Sequence, residues 1–468
     1  MFKYIAFAVT MLGVFPVVVA LSLDKRLTRL SILGLIIPLI NFNGTAINFM
    51  SMEWYRGTAR GMEVSLCYIG ALVIILTIAI LGGIKPQLPY TGTILFGLYF
   101  LFSLSSLRHS GDRLISFFEL WKMMMMYVVF FAVSTYMEYT DGDFDIFDYG
   151  MGIFIVLNFF LVVKQHYFGN GIVRGYFPHK NSLAMFMVLA IMTHFSRFFN
   201  TRGDKKAWLF LFFFCCGAAS SLRTYSRGGF VSLPVAIIVC LFLSLFLQFK
   251  VRKVHYLLVI VFIGIIGFLI FLPKIILRFE TAAGNSGVTR TQFVTIAMNI
   301  ISDNKVFGVG INNWSRTLST NPDYKIDRKT GERMYLINSG IVETIYLLVA
   351  SECGIPCLVA LLLWFFYYFF LSIKLAYCLR KTKYFYFPAA AAGGLLAVYL
   401  QSALEWVLKQ SMNFMLLMIV FAMLSYLDRN YRHLIKREEE EAAKLAEPSE
   451  GKETTEATPQ NVVEPAIQ

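Results

Sequence analysis

The chain has 468 residues, 57% of them hydrophobic and only 15% charged, with a mean hydropathy of +0.63. Soluble domains carry about 25% charged residues. Repeated apolar runs near the ~20 residues that cross a bilayer therefore exclude a soluble class and predict an all-α, polytopic transmembrane helical bundle. The net charge of +13 is uneven: residues 438–468 hold nine glutamates against two lysines, a net −7, which leaves +20 on the rest. In a membrane frame that excess reflects topology first and anionic head groups or substrates second, and it gives no reason to expect nucleic acid.

Thirteen candidate spans follow in order: 4–22, 30–50, 64–84, 90–107, 114–136, 149–168, 181–199, 207–222, 229–249, 256–272, 341–371, 384–404 and 411–427. The total is expected to be about twelve or thirteen. No small-residue cleavage site follows the first run, so it is kept as a span. The basic segments Asp24–Arg29, Thr201–Lys206, Lys250–Lys253 and Lys374–Lys383, with Arg429, Arg432, Lys436 and Arg437, predict the cytoplasmic side. Counting back puts residues 51–63, 108–113, 169–180, 223–228 and 273–340 outside. An acidic inside segment, 137–148, fits this parity less well. The expected organisation is a first helical part (1–272), a large extracytoplasmic loop with a short helix (273–340), C-terminal spans (341–427) and a disordered cytoplasmic tail (428–468) whose Glu-, Pro- and Thr-rich end cannot bury a core.

The 273–340 interval is the long polar stretch of the chain, with nine basic and five acidic residues. Within it Thr289 is a plausible helix N-cap, and Phe293, Ala297 and Ile300 share one face of a helix that Asn304 and Gly308 would end. Neither the seven cysteines, which form no CxxC pair, nor the six histidines, which form no HxxxH pair, give a metal framework. Buried charges have bland readings. Glu119 and Lys122 share a helix face and neutralise each other; Lys164 and Lys409 snorkel near span ends; Glu352 hydrogen-bonds in helix packing.

Three outward segments share a chemistry: Arg174-Gly-Tyr-Phe-Pro-His179-Lys180-Asn181, Arg223-Thr-Tyr-Ser-Arg227-Gly-Gly, and Gly287-Val-Thr-Arg290 leading to Gly308-Val-Gly-Ile-Asn-Asn313. Guanidinium groups match phosphate oxygens, and glycine lets a backbone approach a ligand. For a single arginine, snorkelling toward head groups is the simpler account; four on one side, each beside turn residues, raise an anion site to equal standing. The 54–63 loop adds Arg56 and Arg60 to the same basic surface.

Taken in order, GYFPHKNSLA (Gly175–Ala184), SRGG (Ser226–Gly229), DNKVFGVGINN (Asp303–Asn313) and YLLVASECGI (Tyr346–Ile355) resemble the O-antigen ligase and polymerase superfamily of bacterial envelope glycan enzymes over roughly residues 150–370. The HKN form of the first motif is most similar to exopolysaccharide-polymerising members. The resemblance implies a multi-pass protein of the bacterial cytoplasmic membrane that transfers a glycan from undecaprenyl diphosphate to an acceptor hydroxyl outside that membrane. The acceptor would be lipid A-core, a growing repeat-unit chain or a protein, and no metal, nucleotide or other cofactor would be needed. It further implies that Arg174, Arg227 and Arg290, with Arg223 beside them, bind the diphosphate and neutralise charge on the leaving group.

One departure stands out. Where ligases carry a histidine-asparagine pair, this chain has Glu343 and Thr344, which favours polymerase over ligase. Two readings stay open: Glu343 is the general base toward the acceptor, its pKa raised by burial, or it pairs with an arginine and the base is His179 or none. A transporter or flippase of lipid-linked sugars is the rival of a different class, but no internal repeat is visible and the charged motifs gather on one face.

Overall fold

The computed structural model describes residues 2–84, 90–169, 173–201, 206–334 and 340–446. Every predicted span falls largely on helix, and the chain is an all-α, multi-pass membrane protein. Among the described residues nine helices, from Lys3–Ser22 to Ser411–Lys444, are long and apolar enough to cross a bilayer. The expected twelve or thirteen differ from nine for physical reasons. Leu66–Ile80, Thr91–Ser105 and Tyr386–Ser402 are apolar but short, and 256–272 is part of a much longer helix. A single two-stranded ribbon, Ile47–Asn48 with Glu63–Val64, closes the 47–64 loop.

The centre of the bundle is marked by helices buried on all faces. Lys180–Asn200 and the first part of Ser411–Ala446 are such helices. The former packs on Lys206–Arg223, Arg227–Leu247 and Tyr386–Ser402, the latter on Arg113–Tyr139. Small residues set the closest approach: a Cβ on Gly393 would lie 2.4 Å from the Ala236 carbonyl oxygen, the kind of backbone proximity that dispersion rewards where lipid offers no hydrophobic drive.

Three local outcomes depart from the sequence reading. The predicted 341–371 span is broken at Gly354 (φ +87°) into Ile345–Cys353 and Ile355–Cys378, the second opening on Pro356. The helix expected to begin at Thr289 does not begin there: Val251–Asp303 is one 53-residue helix, about 80 Å of contour, far more than a bilayer needs. The helix runs on past Pro273, which does not end it. The C-terminal helix likewise continues to Ala446, because its glutamates and lysines are good helix formers; the tail beyond lies outside the described residues.

The backbone amides freed by the Gly354 break are answered by the polar interval. Val309 N–H donates to Ser351 O (3.1 Å), Gly310 N–H to Glu352 O (2.8 Å), and Ile355 N–H to Lys305 O (2.8 Å). Gly308 permits this docking, since a Cβ there would lie 2.3 Å from the Glu352 carbonyl carbon. Asn312 and Asn313 are fully buried. Asn312 bonds Ala59 O, Ile115 O and Thr58 N, and Asn313 bonds Ser116 Oγ and the Asp112 backbone. The FGVGINN motif is thus a structural bolt, and its asparagines are spent on the frame.

Beneath the bolt lies a buried charge cluster. Lys122 Nζ bonds Glu119 Oε2 at 2.7 Å, Lys409 Nζ sits 3.3 Å from Glu119 Oε1 and 3.8 Å from Glu352 Oε2, and Trp314 N–H donates to Glu352 Oε1 at 3.2 Å. Glu119 and Lys122 pair as expected; Lys409, 4% exposed, does not snorkel. At the opposite end Arg29 pairs with Asp143, Arg197 with Asp145 and Asp148, and Arg437 with Asp141. The acidic 137–148 segment therefore supplies counterions to its basic neighbours, which is why its sign runs against the others. Four of the five segments predicted to lie outside contribute to the other end, where 47–63, 112, 177–178 and 312–315 meet one another and residues 406–413.

Removing the Lys409 charge leaves two carboxylates buried with one lysine. Lys409→Met is expected to destabilise the protein by about 3 kcal/mol or more, read as a lower melting point in detergent. Lys374→Met, which breaks a largely exposed pair with Asp428, should cost less than about 1 kcal/mol.

Candidate functional site

At the end of the bundle that gathers the polar segments, four helix termini converge. His179 caps Lys180–Asn200, its Nδ1 accepting from Asn181 N–H at 3.2 Å, which leaves Lys180 as the first helical residue. Ser226 caps Arg227–Leu247 through Gly229 N–H (3.3 Å), which makes Arg227 the first residue of that helix. N-cap serine and histidine thus present two cations at helix N-termini, where the helix dipole already favours an anion.

Against these stand Arg290, near the distal part of the 53-residue helix, and Glu343, two residues before Ile345–Cys353. The Arg290 Nε and the Glu343 carboxylate form an ion pair, both half-buried. Burial pushes the Glu343 pKa up; Arg290 and then Arg227 pull it down, and burial prevails. Arg290 is held from below by the apolar face expected from the sequence. Phe293, Ala297 and Ile300, with Ile296, pack with Trp314, Ile341, Val342 and Leu348. This fixes the arginine and the segment before Glu343 in one small core.

A residue that sequence reasoning missed completes the group. Glu405, 5% exposed, lies in the turn between Tyr386–Ser402 and Ser411–Ala446, where Gln401 Nε2 donates to its Oε2 at 3.2 Å. Its pKa is pushed up to about 7, first by burial and also by Glu343, against the Gln401 hydrogen bond, Arg290 and Lys180. Gln401 in turn accepts from Ser232 Oγ (3.0 Å) and packs beside Gly228, tying Glu405 to the SRGG turn. The available signal was a carboxylate between Leu404 and Trp406 at a membrane edge, a placement that is functional by default.

The other predicted residues sit nearby in sequence but have different partners. The exposed Arg174 donates to Pro178 O at 3.4 Å, and its own N–H to Gln165 Oε1. Arg223 donates to His166 Nε2 at 2.9 Å. The His179 ring works as a cap, and burial followed by Lys180 lowers its pKa, so it is neutral near pH 7. Arg290, Glu343 and Arg227 are thus brought together, with Lys180 and Glu405 added; no described contact links Arg174 or Arg223 to Glu343.

Residues 210–362 match the family model for O-antigen ligase. This stretch, about a third of the chain, supports its likeness to the O-antigen ligase and polymerase superfamily. No curated protein matches it. The matched segment contains Arg223, Arg227, Arg290 and Glu343, as well as the FGVGINN bolt and the broken helix that receives it. Arg174, His179, Lys180 and Glu405 lie outside it, brought in by flanking helices.

The sign of the Glu405 shift has a consequence for stability. A carboxyl that is harder to ionise in the fold binds more protons folded than unfolded between its two pKa values. Its contribution is therefore full below the ordinary carboxylate range, near 4.5, and is lost as pH rises toward about 7. Glu405→Gln should flatten this slope and raise stability at pH 8 by on the order of 2 kcal/mol, measured as the difference in detergent melting point between pH 5 and pH 8.

Proposed function

We propose that this protein is a member of the O-antigen ligase and polymerase superfamily and a metal-independent glycosyltransferase that moves an undecaprenyl-diphosphate-linked glycan onto an acceptor hydroxyl at the outer face of the bacterial cytoplasmic membrane, in surface polysaccharide assembly. The observation that carries the reading is the Arg290–Glu343 ion pair inside the matched segment, faced by Arg227 and Lys180 at helix N-termini. A diphosphate head group is the anion that such a cluster suits, since fixed cations in a low-dielectric pocket gain most where charge accumulates on a leaving group.

In the resting site Arg290 is the counterion of Glu343. A donor diphosphate competes for that guanidinium and releases the carboxylate next to the reacting carbon. With burial already holding its pKa above the ordinary range, the freed Glu343 takes the proton from the attacking hydroxyl as the glycosyl–oxygen bond to diphosphate breaks. Donor binding and base release are thereby one event. Arg227 remains on the departing diphosphate, and Glu405 sets the field around the pair. Glutamate in place of the histidine-asparagine pair of ligases favours chain growth, with another glycan as acceptor, over ligation to lipid A-core.

Arg290→Ala should lower glycan transfer by about 10²–10³-fold, as for removal of a fixed charge-stabilising donor, with Arg290→Lys partly active. Glu343→Gln should lose about 10²-fold or more. Transfer is read as the size profile of surface and lipid-linked glycan in cells with normal levels of the protein. Loss of long chains, with single units still reaching their acceptor, marks a polymerase; long chains held on undecaprenyl diphosphate mark a ligase. Unchanged transfer by Arg290→Ala removes the diphosphate assignment.

A further inference from the structure

The two segments that meet at the FGVGINN bolt also carry cations that nothing in the fold neutralises. Arg108, Arg113, Lys305 and Arg316 are all exposed, and among the described residues none of them has a carboxylate within ion-pair distance. The acids of the same segments are engaged elsewhere. Asp112 Oδ1 accepts from Leu114 N–H (2.9 Å) and Ile115 N–H (3.3 Å), and Asp303 is held by Arg328. The segments run side by side: Asp112 N–H donates to Asn313 Oδ1 at 2.9 Å, the His109 and Phe307 rings are 5.3 Å apart, and a Cβ on Gly111 would stand 3.7 Å from Arg316 Cγ. The four cations are thereby gathered on one surface.

Connectivity puts that surface at the membrane edge, because only residues 106–112 join the apolar helices Thr91–Ser105 and Arg113–Tyr139. Each arginine tops an exposed apolar stripe. Ile94, Leu98, Leu101 and Leu104 lead up one helix to Arg108, and Phe117, Met124 and Phe131 lead down the next from Arg113, at helical spacing. The basic-segment count assigns this short loop to the outside, where lysine and arginine are disfavoured near span ends. Snorkelling accounts for one arginine above a stripe. It does not account for Lys305 and Arg316, which arrive on a segment that crosses no membrane.

We propose that this surface binds an anionic glycerophospholipid of the outer leaflet, its phosphate held among Arg108, Arg113, Lys305 and Arg316 and its acyl chains lying along the two apolar stripes. Charge-assisted hydrogen bonds from guanidinium groups suit the phosphate. The stripes select a lipid over a soluble anion or a glycan, which would leave them unused. Because the cations come from both segments, one headgroup ties 106–113 to 305–316 from outside and reinforces the contact that Asn313 makes from within. The site uses no residue of the Arg290–Glu343 cluster and stands without the glycan-transfer reading.

The test puts a benzophenone amino acid in place of Phe117, one aromatic for another on the exposed stripe, in the full chain. The protein is reconstituted into phosphatidylcholine vesicles that contain phosphatidylglycerol or undecaprenyl phosphate at equal mole fraction, and the photocaptured lipid is identified by mass spectrometry. Phosphatidylglycerol should be captured at least about 10-fold more often, per molecule offered, than phosphatidylcholine. Arg108→Gln, Arg113→Gln, Lys305→Gln and Arg316→Gln should each lower that excess by about fivefold. Lys25→Gln, in a loop predicted to be cytoplasmic, should leave it unchanged. Equal capture of the two phospholipids, an excess that survives loss of both Lys305 and Arg316, or an equal fall with Lys25→Gln overturns the site. Preferential capture of undecaprenyl phosphate overturns the assignment to a glycerophospholipid. Lys329→Cys, exposed on the turn beyond Arg316, should react with an impermeant maleimide in spheroplasts, above the wild-type background. No reaction would place the patch on the inner side and overturn the outer-leaflet assignment.

Discussion

The fold at the functional end depends on how a broken helix is made whole. Gly354 interrupts what would be a continuous span, and the exposed amides and carbonyls at the break must be satisfied out of reach of bulk water, where each unpaired group is costly. The 305–314 segment supplies partners on both sides of the break, and Glu352 fastens it through the Trp314 amide while Lys409 neutralises the carboxylate. Because the segment also buries Asn312 and Asn313 among residues of the 55–63 loop and the start of Arg113–Tyr139, three distant parts of the chain are locked together. Arg290 and Glu343 are carried on the two elements that flank this lock, so their meeting is a consequence of it.

The charged groups then divide into two populations by purpose. Glu119, Lys122, Lys409 and Glu352 are sealed in, mutually neutral and engaged in holding backbone. Arg290, Glu343, Arg227, Lys180 and Glu405 are fewer steps from the surface, sit at helix starts and turns, and are balanced more loosely; burial leaves two carboxyls there with raised pKa values. The first arrangement resists exchange of partners, whereas the second places cations at helix starts beside a half-buried ion pair, and the proposed anion binding rests on that difference. The bundle's rigidity at the first set is what lets the second be adjustable.

Much of this was legible in the sequence because the signals were local. Apolar runs of bilayer length marked the spans, and the Phe293–Ala297–Ile300 face marked the helix below Arg290. What escaped were long-range facts. Lys409 looked like a snorkelling residue because its partners, Glu119 and Glu352, lie hundreds or tens of residues away. Glu405 offered only its place at a membrane edge, because its setting depends on Arg290 and Lys180 arriving from other helices. Asn312 and Asn313 stand in a segment grouped with the outward anion motifs, because asparagine serves ligands and buried backbone equally well, and only their partners tell the two apart. The run-on of Val251–Asp303 escaped for the opposite reason: a polar composition opening on Pro273 suggested a loop where the helix continues.

The spacing of the buried charges has a meaning for how the protein is made. Glu119 reaches the bilayer long before Glu352 or Lys409 has been synthesised, and a lone carboxylate in an apolar helix would be costly to insert. Lys122, one turn along and 2.7 Å away, travels with it as a built-in chaperone for charge, so the early helix enters as a neutral unit. When the last helices arrive, Lys409 joins Glu119 and admits Glu352, and Arg437 finds Asp141 at the far end. The chain thus defers this electrostatic closure until Lys409 has been made, and a product cut before it would leave Glu352 without its lysine.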